Sequence, residues 1–98
     1  MFVGDKHVSQ GVTLHIPAYL QNILWYLIES LDIDKDYLQT FELKCEIINQ
    51  QPKQKIIHSQ EQPPYQKEYI FFVNYPINAK LFVVDDGSHS TMLLAEEY

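Results

Sequence analysis

Four histidines (His7, His15, His58 and His89), one cysteine (Cys45) and two runs rich in acid are the groups with which this chain could do chemistry. The histidines are scattered, and no two stand at a zinc-ligand spacing. Asp32-Ile-Asp-Lys-Asp36 has the alternating carboxylates that open an EF-hand calcium loop. Counted from Asp32, however, the sixth position needs glycine and holds Tyr37, and the twelfth needs a bidentate glutamate and holds Leu43. The run reads instead as a solvated connection with a turn cap near Asp34. His58-Ser-Gln-Glu61 and Asp85-Asp-Gly-Ser-His-Ser90 contain the residue types of a Ser-His-acid triad. A triad is defined by geometry rather than by composition, and polar turn residues account for the second run. There is no nucleophile elbow, phosphate-binding glycine loop, H-E-x-x-H or C-x-x-C. The sequence therefore points away from an enzyme, and it assigns no catalytic, cofactor-binding or metal-binding residue.

The composition narrows the partners. The chain has 98 residues, enough for a single domain (1–98) with one modest core. Its net charge is −6, and every basic residue is a lysine. Phosphate contacts want positive charge and base readout wants arginine, so nucleic acid and anionic membrane are disfavoured. With a single cysteine there is no internal disulfide. The start lacks a signal-peptide apolar run, and no apolar run is long enough to span a bilayer. A cytoplasmic protein without cofactors is the expectation.

The elements that would position these groups follow from periodicity. Residues 17–31 carry the sustained helical pattern: Leu20, Leu24, Leu27 and Leu31 fall in one stripe at about 100° per residue. Pro17 suits the first turn, where its missing N–H loses no bond. Elsewhere the pattern is strand and turn. Residues 2–9 and 11–14 read as a broken N-terminal strand. Residues 37–48 alternate cleanly, with Phe41, Leu43, Cys45 and Ile47 on one face. A turn at residues 49–52 leads to a strand at 53–60, placed near an edge because only Ile56 and Ile57 are large and apolar. Residues 67–73 and 80–85 are strands with apolar side chains on both faces, and Asp86-Gly87 marks a tight hairpin into 89–95. The expected fold is α+β: one amphipathic helix packed on a mostly antiparallel, four- to five-stranded meander sheet.

Two features bear on interaction. Trp25 lies among polar neighbours on the helix, with Tyr19 and Tyr26 on the other shoulder; it is either an interface anchor or covered by a loop, Tyr65 being the candidate lid. The strands that are apolar on both faces leave a second sheet face needing cover by loops, by curling or by another chain. Trp25, Tyr19, Tyr26 and Tyr65 are the candidate interaction residues. The leading reading is a non-enzymatic protein-binding or regulatory module, acting on a protein partner or as a homodimer. The alternative is a small-molecule-binding protein or minor enzyme whose site joins His58, Tyr65 and His89.

A family resemblance runs through nearly the whole chain. It is carried by Gly11-Val12, Ile16-Pro17, Leu20-Gln21 with Leu24-Trp25, and Tyr37-Leu-Gln-Thr-Phe-Glu-Leu43. Gln54-Lys-Ile-Ile-His-Ser-Gln-Glu61 with Pro64-Tyr65, and Asp85-Asp-Gly through Thr91-Met-Leu-Leu-Ala-Glu-Glu-Tyr98, continue it. On these residues the chain resembles DUF960, a family of short proteins of unknown function from Firmicutes and their phages. The resemblance implies a bacterial, cytoplasmic setting and lends no activity or functional residue. Lys6-His-Val-Ser9 stands where relatives are expected to begin Arg-rich.

Overall fold

A computed structural model describes residues 2–98. It contains strand β1 (Asp5–Val8), helices α1 (Gln10–His15) and α2 (Ala18–Glu29), and strands β2 (Leu38–Ile48), β3 (Gln51–Gln60), β4 (Tyr65–Phe71), β5 (Ala79–Asp85) and β6 (His89–Leu94). A single 3-10 turn, Ala95–Glu97, follows. The fold is α+β, a two-layer arrangement of helices on a mixed sheet.

The expected long helix is α2. Pro17 is its N-cap, with φ −58° and ψ 147°, so the helical turns begin one residue later than the sequence suggested. Its buried line is Leu20, Leu24 and Ile28, not the Leu27 and Leu31 end of the predicted stripe. The helix stops at Glu29, so Leu31 lies beyond it and Leu27 drifts to the shoulder. Residues 11–14 are a correction: they belong to helix α1, not to a strand. Ser9 caps that helix, its Oγ accepting from the Val12 N–H at 3.1 Å. The Glu97 carboxylate accepts from the Ser9 hydroxyl and from the Gly11 N–H at 3.1 Å. A short polar alternation could not reveal a helix start whose second acceptor comes from the other end of the chain. Gly11 leaves room for this contact, since a Cβ would lie 2.7 Å from the Glu97 carboxylate and push it aside.

The sheet has six strands in the order β1-β6-β5-β2-β3-β4. All pairs are antiparallel except β1 with β6, which is parallel. The meander expectation fails at one joint. After β4 the chain crosses back through residues 72–78, so β5 pairs with the free side of β2, in register Leu38↔Val84 to Leu43↔Ala79. Buried Gln54 holds that crossing: its Oε1 accepts from the Ile77 N–H at 2.9 Å and its Nε2 donates to the Ile77 carbonyl at 3.1 Å. β3 is therefore near an edge, as expected, but one strand in from it: β4 is the edge on that side and β1 on the other. Paired on both sides, β3 buries Gln54, His58 and Gln60 beside Ile56.

Alternation decides the layers. Phe41, Leu43, Ile56, Leu81, Val83, Met92 and Leu94 point to the helices and form one core with Val12, Ile16, Leu20, Leu24 and Ile28. Burying each such side chain contributes about 1.5–3 kcal/mol. Cys45 corrects another expectation. It shares the Phe41 and Leu43 row but is exposed, since β2 runs past the end of the helical layer. The β2–β3 hairpin turns through Asn49 and Gln50, at φ 52° and 66°. Both sit in the left-handed region that matches the strand twist.

Candidate functional site

The side of the sheet away from the helices is where the molecule remains open. By register, Leu38, Val84 and Thr91 form one cross-strand row over β2, β5 and β6, and Thr40, Phe82 and Leu93 form the next. All six are partly exposed and none is buried. Tyr98 lies against Phe82 with ring centroids 5.0 Å apart and is itself 64% exposed, so it widens the patch rather than sealing it.

The other half of that same side, over β2, β3 and β4, is different. Lys44 pairs with Glu42 at 2.9 Å, and Lys55 with Glu46 at 3.2 Å and Glu68 at 3.1 Å. The Lys55 ammonium is held more strongly protonated than usual, first by its bond to Glu68 and then by Glu46. Such surface pairs add little stability but give water a charged surface to meet. An open cleft of about 550 Å³ lies at the start of β2, beside the β3–β4 turn. Asp36, Tyr37, Leu38, Thr40, Glu61 and Tyr65 are among its walls.

Below the sheet, His58 anchors a buried polar network. Gln39 donates through Nε2 to Gln60 Oε1 at 2.7 Å and to the Asp36 carbonyl at 2.9 Å. Its Oε1 therefore accepts from His58 Nε2–H at 2.7 Å, which makes His58 the neutral Nε2–H tautomer. Its Nδ1 is buried with no partner among the described residues. Burial lowers the His58 pKa to about 4. The ring stacks on Phe41 at 4.3 Å and meets the edge of Tyr65 at 5.4 Å. Gln60 extends the network to the Asp34 and Pro63 carbonyls and to the Asp36 N–H. The backbone of the Asp32–Asp36 run is thus spoken for by Gln60, and Asp36 Oδ2 accepts from the Gln62 N–H at 3.0 Å.

The sequence-based constellations come apart. His58 and Tyr65 do meet, but His89 is on β6, three strands from β3, or about 14 Å at the usual strand spacing. It also faces the opposite side, next to buried Ser90. His58, Tyr65 and His89 therefore share no site. In the Asp86–His89 turn, Asp86 Oδ2 and Ser88 Oγ both approach the same ring nitrogen, His89 Nδ1, at 3.1 Å. A triad needs its serine and its acid on different nitrogens. Asp86 instead staples the turn, accepting from the His89 N–H, the Ser88 N–H and the Ser88 hydroxyl, which together lower its pKa. Among the described residues no group of three or more His, Cys, Asp or Glu is placed to hold a metal ion.

The four candidate interaction residues are not one patch. Trp25 packs against the core, and the Lys6 ammonium from β1 lies 5.9 Å above its ring while pairing with Glu29 at 3.1 Å. The expected lid, Tyr65, is on β4 at the far edge of the sheet against His58, so it does not serve Trp25. Tyr26 is 65% exposed. Tyr19 lines a shallow cleft of about 300 Å³ with Tyr75. Sequence reasoning did not single out Phe82, Leu93, Val84 and Leu38 as neighbours on one face. The signal was present, since both faces of 80–85 are apolar, but only the β5–β2 pairing shows which rows lie together.

Comparisons with known proteins bear on the fold and the family. A crystal structure of a protein of unknown function from Enterococcus faecalis superposes with a TM-score of 0.76 at 24% identity, covering 97% of this chain and 91% of that one. At that identity the likeness establishes the fold alone. No curated protein matches the chain. No helix among the described residues is long and apolar enough to cross a membrane. The family model described as "Staphylococcal protein of unknown function (DUF960)" matches residues 5–97. The chain belongs to the DUF960 family.

Proposed function

We propose that this protein is a non-enzymatic protein-binding module whose contact surface is the open side of its sheet. The observation that supports the reading is the pair of rows Leu38–Val84–Thr91 and Thr40–Phe82–Leu93, apolar for the most part, partly exposed, and met at Phe82 by Tyr98. Scattered apolar residues on a surface are ordinary, but contiguous ones rimmed by polar groups mark interaction sites. On this reading the contact lies on the sheet, and Tyr19, Trp25 and Tyr26 on α2 are the rival surface.

The test uses purified wild type, Phe82→Asp and Trp25→Ala as baits against a staphylococcal lysate, with thermal unfolding of each as the fold control. The expected result is a stoichiometric protein partner retained by Trp25→Ala and lost with Phe82→Asp. A partner lost only with Trp25→Ala moves the site to the helix and overturns the reading.

A further inference from the structure

The geometry points to a specific occupant for the open side: a basic amphipathic segment of a partner protein, its apolar side on Leu38, Phe82, Val84 and Leu93 and its Lys or Arg side chains on the acidic rim. This rests on the reading of that side as a protein-contact surface and adds the chemistry of the partner. Three observations carry it.

The first is the rim. Asp5 on β1 and Glu61 beside the cleft are exposed and border the apolar rows; Asp86 in the β5–β6 turn is exposed there too but is bonded to Ser88 and His89, and His7 packs edge-on against His89 beside it. The one lysine bordering these rows among the described residues is Lys80, which leans over the Phe82 ring at 5.7 Å. Lys44 and Lys55 are already neutralised by Glu42, Glu46 and Glu68 on the other half and do not offset that rim. The second is the charge of the whole chain, −6. A second copy laid face to face would set this rim against itself, and like charges opposed across an interface disfavour the pairing. The third is the cleft, which continues the Thr40–Phe82 row through Thr40, Ser59 and Gln66. Its walls combine Tyr37, Leu38 and Tyr65 with the carboxylates of Asp36 and Glu61. Apolar walls suit the methylene stem of a Lys or Arg, and carboxylates and aromatic rings suit its head. The same negative surface repels phosphate and anionic lipid.

The experiment titrates the full-length, isotope-labelled chain with matched synthetic peptides of about 18 residues, or five helical turns. All share one leucine stripe. Their flanks are Lys/Arg, Glu or Ser, and a fourth peptide scrambles the Lys/Arg version. The expected result is that the Lys/Arg amphipathic peptide binds at least about tenfold more tightly than the other three. Its amide shifts should be confined to β2, β5, β6 and the β3–β4 corner. Phe82→Asp should abolish binding, and Asp5→Lys with Glu61→Lys should erase the preference for basic flanks, with thermal midpoints near wild type. Equal binding of the Glu or Ser peptide overturns the partner assignment and leaves the contact surface standing. So does a stable dimer in sedimentation that Phe82→Asp dissociates. Shifts confined to α2, or no binding by any of the peptides, overturn both.

Discussion

The two sides of this sheet are made by alternate residues of the same strands, and they differ in what finishes them. On the helix side, Phe41, Val83 and Met92 are wholly buried, and even the polar members Gln39, Gln54 and His58 are inaccessible. Each of those polar groups is threaded into a network, save for one bare nitrogen on His58. On the other side the neighbours Phe82, Val84 and Leu93 are as apolar but stay partly exposed. A strand that is apolar on both faces is thus asking for two covers, and this chain supplies one. The lesson is that the helix side carries stability while the open side holds apolar surface in reserve.

Substitutions can break or sharpen that contrast. The largest effect is expected from Phe41→Ala, at about 3–5 kcal/mol for removing a fully buried ring. Its counterpart Phe82→Ala, in the next strand but on the open side, should cost below about 1 kcal/mol. Denaturant midpoints at constant slope measure both, and equal losses would mean that the open side is packed. Next comes Gln60→Ala, which strands the Gln39 amide and the Asp36 N–H, at about 1–3 kcal/mol by the same measurement.

His58 gives a pH signature to the helix side alone. Its folded pKa, about 4, lies below the ordinary 6.5, so the unfolded chain takes up a proton in that window and the folded chain does not. The stability contributed by neutral His58 is complete above the unfolded value and is lost as pH falls toward the folded one. Between pH 6.5 and about pH 5 the loss should be about 1.5 kcal/mol. His58→Gln should flatten the profile there, as read by unfolding at each pH. Glu97 and Asp86 have lowered pKa values, first through Ser9 and through the His89 N–H respectively, so their losses come at lower pH. The smallest effect is a gain. Gln50→Gly relieves a left-handed residue in the β2–β3 turn and should add about 0.5–1 kcal/mol.

The sequence revealed the α2 stripe, the long alternation of β2 and the surplus of apolar residues in β5, because each is a local pattern with a period. It could not reveal that β5 crosses to β2, since that depends on Gln54 holding Ile77 from 23 residues away. Nor could it reveal α1, whose start is completed by Glu97. The lid expected over Trp25 was misplaced for the same reason: Tyr65 lies against His58, and it is Lys6, from a distant strand, that approaches the Trp25 ring. His58 was visible as a residue but not as a buried neutral one, because its partners Gln39 and Gln60 look like ordinary surface amides in sequence.

The central claim is most directly tested by methyl NMR of the free protein with a soluble paramagnetic gadolinium chelate. The account predicts strong relaxation of the Leu38, Val84 and Leu93 methyls and almost none of Leu43, Val83 and Met92. Protection of the first three to the level of the second would show that the far side is already covered, and would contradict it.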